Sequence, residues 1–272
     1  MIGFETLNIT SLILSTVILG YSAWMDLKTR EVPDRVWIIY LPASSILLIL
    51  RLISNPQIAN IYAASILITA GISLLMFQIG LFGGADLKAM ICLSLALPIH
   101  PIPNKTLVKP LNPIFPLTVL YNSYLLSLSV VVYVLSKNFE WRIVKGKELF
   151  KNMKEPPWKM LLALLTGYKT SYRKLKGKTH LYPMEEPSKS GEHINRRLKL
   201  LYKSETDRNE LIRQLEESID EGFEDQVWIT PGIPLLTFIW ISVLSTTFIG
   251  DLLQTLVFNA LQNVMNIGES LR

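Results

Sequence analysis

Long apolar runs, free of internal charge except for Arg51 near the end of the second, fill the first half of the chain between short polar connections, and one more appears near the end. Their lengths approach the roughly 20 residues a helix needs to cross a bilayer. The windows are Leu7 to Met25, Val36 to Ile53, Ile61 to Phe82, Leu117 to Leu135 and Ile229 to Ile249. A shorter stretch, Leu87 to Pro101, carries only Lys88 at its start and is expected to cross if it begins in the interface. The pattern therefore predicts an α-helical polytopic membrane protein with six transmembrane helices. The last apolar stretch, Asp251 to Met265, has Gln254, Asn259, Gln262 and Asn263 spread through it, which suits an interfacial helix or an extension of the sixth span.

The pattern changes between spans five and six. Lys137 to Trp228 holds 19 of the 27 Lys and Arg residues against 15 acids, and reads as one small α+β soluble domain. The expected division is residues 1–136 for spans one to five, 137–228 for the soluble domain and 229–272 for the sixth span and tail. Within the soluble domain, Ser204 to Asp220 places Leu211, Ile212, Leu215 and Ile219 on one face and ends before Gly222, so an amphipathic helix is expected. Met160 to Leu165 is too short to cross a membrane and reads as a small core helix or a strand. Tyr168 to Tyr182 interleaves five Lys or Arg with three Tyr. We read this as a solvated surface, in preference to a contact with anionic headgroups or nucleic acid.

Composition supports lipid as the main solvent, since 50% of residues are apolar and only 18% are charged. The first window is not preceded by Lys or Arg and is too long for the core of a cleaved signal; it reads as an uncleaved anchor with the amino terminus outside. Cys92 is the sole cysteine, and His100, His180 and His193 are scattered, so neither a disulfide nor a metal or other cofactor is expected. Orientation follows from cations near membrane ends. Lys28, Arg30, Arg35, Lys88, Lys137, Arg142, Lys145, Lys147, Lys151 and Arg213 fall on one side; Arg51, Lys105, Lys109 and Arg272 fall on the other. The first, richer side is expected to be cytoplasmic.

Two aspartates on that side carry the candidate chemistry. Asp26 ends the first span, in Met25-Asp26-Leu27-Lys28-Thr29-Arg30-Glu31-Val32-Pro33-Asp34; Asp86 opens the short stretch, in Gly83-Gly84-Ala85-Asp86-Leu87-Lys88. Two crossings separate them, so they return to one membrane face. Asp86 taken alone suits a helix N-cap. Asp26 sits at a helix C-terminus, where an acid is unfavourable unless Lys28 or Arg30 compensates it. Paired carboxylates cannot both ionise cheaply, so one keeps a proton while the other can deprotonate water. Such a pair titrates as a unit, and neither aspartate is assigned one role. Glycines beside Asp86 would let an extended peptide approach or supply left-handed angles. Asp34 reads as the cap of the second span, and Gly250-Asp251 is expected outside, away from the pair. Asn122 and Ser123 read as hydrogen-bonding glue between helices.

These two motifs resemble those of type IV prepilin peptidases, membrane-embedded GxGD-type aspartic proteases. The archaeal preflagellin and prepilin peptidases are the most similar branch, because Ala85 replaces the second motif glycine and a soluble domain precedes a last span opening Trp228-Ile229-Thr230-Pro231-Gly232-Ile233-Pro234. The resemblance implies catalytic Asp26 and Asp86, with Gly83, Gly84, Ala85, Pro33 and Lys88 as motif support. It implies archaellin or pilin-like precursors as partners, cut behind a short basic leader at the cytoplasmic face. The chain starts directly with a span and lacks paired cysteine motifs, so no N-methyltransferase activity and no zinc are expected. Acids of the soluble domain, Glu185, Glu186, Glu192, Glu216, Glu217, Glu221, Glu224 and Asp225, would attract such a leader at long range. The competing reading is a small transporter or channel subunit relaying protons or cations through the aspartates. It fits less well, because spans one and four carry no acid near the midplane.

Overall fold

The computed structural model describes residues 3–258 apart from 104–105, 109–111, 151–152, 154, 179, 191–192, 200–204 and 221–224. The chain forms two compact units, one of residues 1–127 with 234–272 and one of residues 128–233.

The first unit is helical. It contains α1 (Phe4–Thr29), α2 (Asp34–Ser54), α3 (Ala59–Gln78, after a 3-10 turn at Pro56–Ile58), α4 (Gly84–Ala96), the first half of α5 (Phe115–Phe139), α9 (Leu235–Phe248) and α10 (Leu252–Phe258). Their faces are inverted relative to a water-soluble bundle. On α3 the buried positions are Tyr62, Ser65, Thr69 and Ser73, a stripe at helical spacing, while Leu67, Leu74 and Leu75 are exposed. On α1 the buried face runs Leu7, Asn8, Ser11, Ser15, Leu19, Ser22 and Ala23, with Ile9, Ile13 and Val17 outward. Small and hydroxyl side chains inside with large apolar ones outside is the arrangement that lipid selects, because close packing and interhelical hydrogen bonds, not apolar burial, drive association there. At Gly20 an added Cβ would lie 2.9 Å from the indole nitrogen of Trp240, so α9 packs directly on the backbone of α1. The same indole N–H donates to the Thr16 carbonyl at 3.0 Å.

Among the described residues, four helices are long and apolar enough to cross a membrane, and α9 with α10 makes a fifth if that pair, bent by 64°, is one span. The windows Leu87 to Pro101 and Ile229 to Ile249 are the ones the structure revises. Leu87 to Pro101 is not one continuous helix: α4 stops at Ala96 after 13 residues, about 20 Å of rise against a hydrocarbon core of about 30 Å. Most of its surface is enclosed, with Ala89, Met90, Leu93 and Ala96 fully buried at the centre of the unit's core beside Leu19, Tyr40, Phe115 and Ile239, while Lys88 is exposed and Ile91 half-buried. The window opening at Ile229 also begins too early, since Ile229 to Pro231 are strand residues and the helix starts at Leu235. At the far end Gly250, with φ 101°, breaks the helix, so Leu252 onward bends away from α9 and does not extend it straight. The rest of the tail, Asn259, Gln262 and Asn263 included, lies outside the described residues. Asn122 is the expected glue, donating to Thr246 Oγ1 at 2.9 Å and to the Gly250 carbonyl at 3.1 Å; Ser123 instead bonds within its own helix, to Leu120.

The second unit begins with the second half of α5, prolonged by a π turn at Glu140–Val144. There follow α6 (Pro157–Thr166), β1 (Tyr168–Ser171), α7 (Tyr172–Lys176), β2 (Leu181–Pro183), β3 (Glu185–Ser190), β4 (His193–Leu198), α8 (Glu205–Asp220) and β5 (Gln226–Pro231). Strand β5 lies between β1 and β2, both antiparallel, with Tyr168 opposite Ile229 and Leu181 opposite Pro231; β3 and β4 form a separate hairpin. Alternation along β5 builds two cores. Val227 and Ile229 face Tyr172, Leu175 and Leu215, with the expected α8 residues Ile212 and Ile219 packed alongside. Trp228 points the other way, among Met153, Ala163, Met184 and Leu198. The Met160 to Leu165 segment is the helix α6.

Candidate active site

Both candidate aspartates lie in the first unit, on elements that its core fixes against each other. Asp26 occupies the last turn of α1, which ends because Arg30 adopts left-handed angles (φ 61°, ψ 14°) and donates its N–H to the Asp26 carbonyl at 3.2 Å. Left-handed backbone is costly for a side chain of this size, and the same residue places its guanidinium 4.0 Å from the Asp26 carboxylate. Arg30 thus supplies the compensation that an acid at a helix C-terminus requires. Lys28 does not share it: its ammonium sits 4.9 Å over the Trp24 ring.

A second support for Asp26 was not legible in the motif. The backbone N–H of Leu236, in the first turn of α9, lies near its carboxylate. First-turn N–H groups of a helix have no partner within it and carry partial positive charge. The sequence signal is Pro234 followed by an apolar run, which marks a helix start but not what the start faces. Thr237 reinforces the contact, its hydroxyl donating to the Ala23 carbonyl at 3.4 Å.

Asp86 is not the N-cap of α4. The cap position is Gly83, and Asp86, three residues on, turns back so that its Oδ2 accepts the Gly83 N–H at 2.9 Å. This is the acidic half of a capping box, which satisfies an otherwise open donor at the helix start. Gly83 has φ −76° and needs no left-handed freedom. Its glycine character serves proximity, because an added Cβ would lie 3.3 Å from Asp86 Oδ2. Gly84 has open space around its missing side chain. Gly83→Ala is accordingly expected to displace the Asp86 carboxylate and cut turnover about tenfold with little change in stability, while Gly84→Ala leaves the site geometry intact. Steady-state rates and thermal unfolding of both variants check this; equal rates for Gly83→Ala and the parent would remove the positioning role.

The negative charge of Asp26 acts on Asp86, so the two carboxylates stand within electrostatic reach. Tyr124 of α5 also feels the Asp86 charge, and its ring stacks on Phe82 at 6.4 Å between centroids. Nothing in the motifs pointed to Tyr124, one of several polar residues inside an apolar window that also holds Tyr121, Asn122 and Ser123. Asp34 begins α2 directly after Pro33 and pairs with Lys88 at 2.6 Å, tying the first motif to the second across 54 residues. The pair is exposed, so its energetic weight is small. Ala85 packs against the apolar core. Asp251, far in sequence from the pair, accepts hydrogen bonds from the Tyr121 hydroxyl and from Gln254 N, and starts α10. Among the described residues no three His, Cys, Asp or Glu side chains converge as ligands.

The acids of the second unit are engaged locally. Glu185 is fully buried and accepts the Trp228 N–H at 3.0 Å; Glu216 pairs with Lys176, Glu217 with Arg213 at 3.9 Å and Glu186 with Lys199 at 3.9 Å. Glu192, Glu221 and Glu224 lie outside the described residues.

Known proteins match most of the chain in sequence. Residues 13–134 match the Type IV leader peptidase family, and residues 159–252 match the family part described as Archaeal Peptidase A24 C-terminus Type II. The preflagellin peptidase of Methanococcus voltae is 28% identical over 85% of this chain and 91% of its own length. The preflagellin peptidase of Methanocaldococcus jannaschii is 27% identical over 83% of this chain and 88% of its own. With both aspartate motifs inside the first match and strands β1 to β5 inside the second, the chain belongs to the type IV leader peptidase family, in its archaeal form.

Proposed function

We propose that the protein is a membrane-embedded aspartic endopeptidase that removes the short basic leader from archaellin or type IV pilin-like precursors, without methylating the new amino terminus. The observation that carries this reading is the approach of Asp26 and Asp86, from helices α1 and α4, into one electrostatic field. The Asp86 carboxylate is held by the Gly83 N–H, and that of Asp26 lies near the N–H of Leu236. One ionised carboxylate then deprotonates a water that attacks the scissile carbonyl carbon, while the protonated partner donates a hydrogen bond to the carbonyl oxygen. As the tetrahedral adduct collapses, the proton taken from water passes to the leaving amine.

An apolar cleft of about 400 Å³ between α2 and α4, lined by Trp37, Ile38, Leu41 and Ile91, opens beside the Asp34–Lys88 pair and suits an apolar substrate helix. In this reading α4 is a short fourth crossing, giving six with α9, and the aspartates and second unit face the cytoplasm. Arg51 supports that orientation: it is fully buried, donating to the Ala96 carbonyl at 2.7 Å, so it leaves the count of cations on the opposite side.

Membranes containing the protein are expected to shorten a tagged archaellin precursor by its leader. Cys92, the sole cysteine, is buried. A single cysteine placed at exposed Glu31 should therefore react with an impermeant maleimide only in inverted vesicles. Labelling in right-side-out vesicles would reverse the orientation, and absence of cleavage alongside proton or cation flux would favour the transport reading.

A further inference from the structure

The second unit contains a cleft of about 600 Å³ whose walls carry Lys137, Lys145, Lys147, Lys169, Lys174 and Lys178. Glu140 is the carboxylate on that lining, shared between Lys137 at 2.9 Å and Lys145 at 3.6 Å. Two ammonium groups, those of Lys145 and Lys147, also lie 4.9 and 5.4 Å over the Trp141 ring. Lys169 is 6% exposed, so one cation of the set is held largely out of bulk water. Crowding this many like charges into one cleft raises the energy of the folded unit unless an anion offsets it.

The location narrows the class of anion. One wall is the polar end of α5, the continuation of a candidate membrane span that runs to Val144. Tyr133 and Trp141 line the same wall, the residue types that settle at headgroup depth, and Lys137 begins the charged sequence there. The unit further exposes Ile143, Val144 and, on α6, Trp158 and Leu161, apolar side chains suited to the boundary of a bilayer. A basic substrate leader would be repelled from such a cleft.

We propose that this lysine-lined cleft at the polar end of α5 binds the phosphate-bearing headgroup of an anionic membrane phospholipid. The Tyr168 to Tyr182 segment is thereby reassigned from a solvated surface to one wall of a lipid site, because folding brings its Lys169, Lys174 and Lys178 opposite Lys137, Lys145 and Lys147.

The test uses the full-length protein in neutral detergent, titrated with dioleoyl phosphatidylglycerol or dioleoyl phosphatidylcholine and read by native mass spectrometry. Pyrophosphate and a single-stranded RNA oligonucleotide form the soluble arms. The expected result is saturable retention of phosphatidylglycerol over phosphatidylcholine, reduced about tenfold or more in Lys147→Gln/Lys174→Gln/Lys178→Gln. These three side chains are exposed, so the variant should fold, and an unchanged melting temperature verifies it. Arg142→Gln/Arg173→Gln/Arg213→Gln removes equal charge from exposed positions off the cleft lining and should bind like the parent. Equal losses in both variants, no preference between the two lipids, or tighter binding of pyrophosphate or RNA than of phosphatidylglycerol would each overturn the proposal.

Discussion

Asp26→Asn and Asp86→Asn are each expected to lower leader cleavage by about 10³-fold or more, and the double variant by little more than the worse single one. The size follows from the division of labour. Asn matches Asp in shape, and at position 86 its amide oxygen can still accept the Gly83 N–H, so the variants should fold and insert normally. It can neither take a proton from water nor share one with its partner, so either change removes the acid–base couple as a whole. Near-complete loss from each single change, with no further loss in the double, is the signature of groups acting as a unit. Initial rates on a tagged precursor, in membranes with matched expression, measure it. A variant that retains more than about a tenth of the parental rate would mean that its aspartate is not one of the pair.

The second large effect is on stability. Trp228→Ala is expected to destabilise the second unit by about 3–5 kcal/mol, the usual range for emptying an aromatic site in a core. Trp228 is fully buried, stacks on Phe150 at 4.9 Å between centroids, and donates its indole N–H to the Leu149 carbonyl at 3.1 Å. Truncation leaves a cavity and an acceptor without its donor. Trp228→Phe keeps most of the volume and loses the hydrogen bond, a smaller penalty of about 1–3 kcal/mol. Protease susceptibility of residues 128–233 across a urea series would rank the variants. Equal midpoints for the Ala variant and the parent would mean that β5 is not the centre of this unit.

The outcome at Trp228 shows where sequence reading reached its limit. Read along the chain, Trp228 to Pro234 continues into an apolar run and looks like the mouth of a membrane helix. Only pairing with β1 and β2, contributed by residues about 50 to 60 positions earlier, reveals a central strand. Short apolar segments have no intrinsic preference strong enough to decide between strand and helix, so the partner decides. The same holds for α4: its composition reads as a marginal span, whereas the full burial of Ala89, Met90, Leu93 and Ala96 reflects neighbours that the run itself does not encode.

Much was determined by local sequence. The long helices followed from uninterrupted apolar runs, because lipid permits few alternatives for an unpaired backbone. The amphipathic α8 followed from its periodicity. Asp26 and Asp86 stood out because ionisable groups at the ends of apolar helices are costly and therefore informative. Tertiary structure alone decided what surrounds them. Arg30 rather than Lys28 answers Asp26, since a left-handed cap aims one side chain and not the other. Leu236, more than 200 residues away, brings a backbone N–H near Asp26, which no side-chain pattern can announce. Gly83 is required by the proximity of the Asp86 carboxylate and not by its own dihedral angles. Six lysines scattered between positions 137 and 178 become a single cleft only when α5 and β1 fold beside each other. Charge and apolarity are properties of residues and can be read in order, but proximity between distant residues is a property of the packed chain.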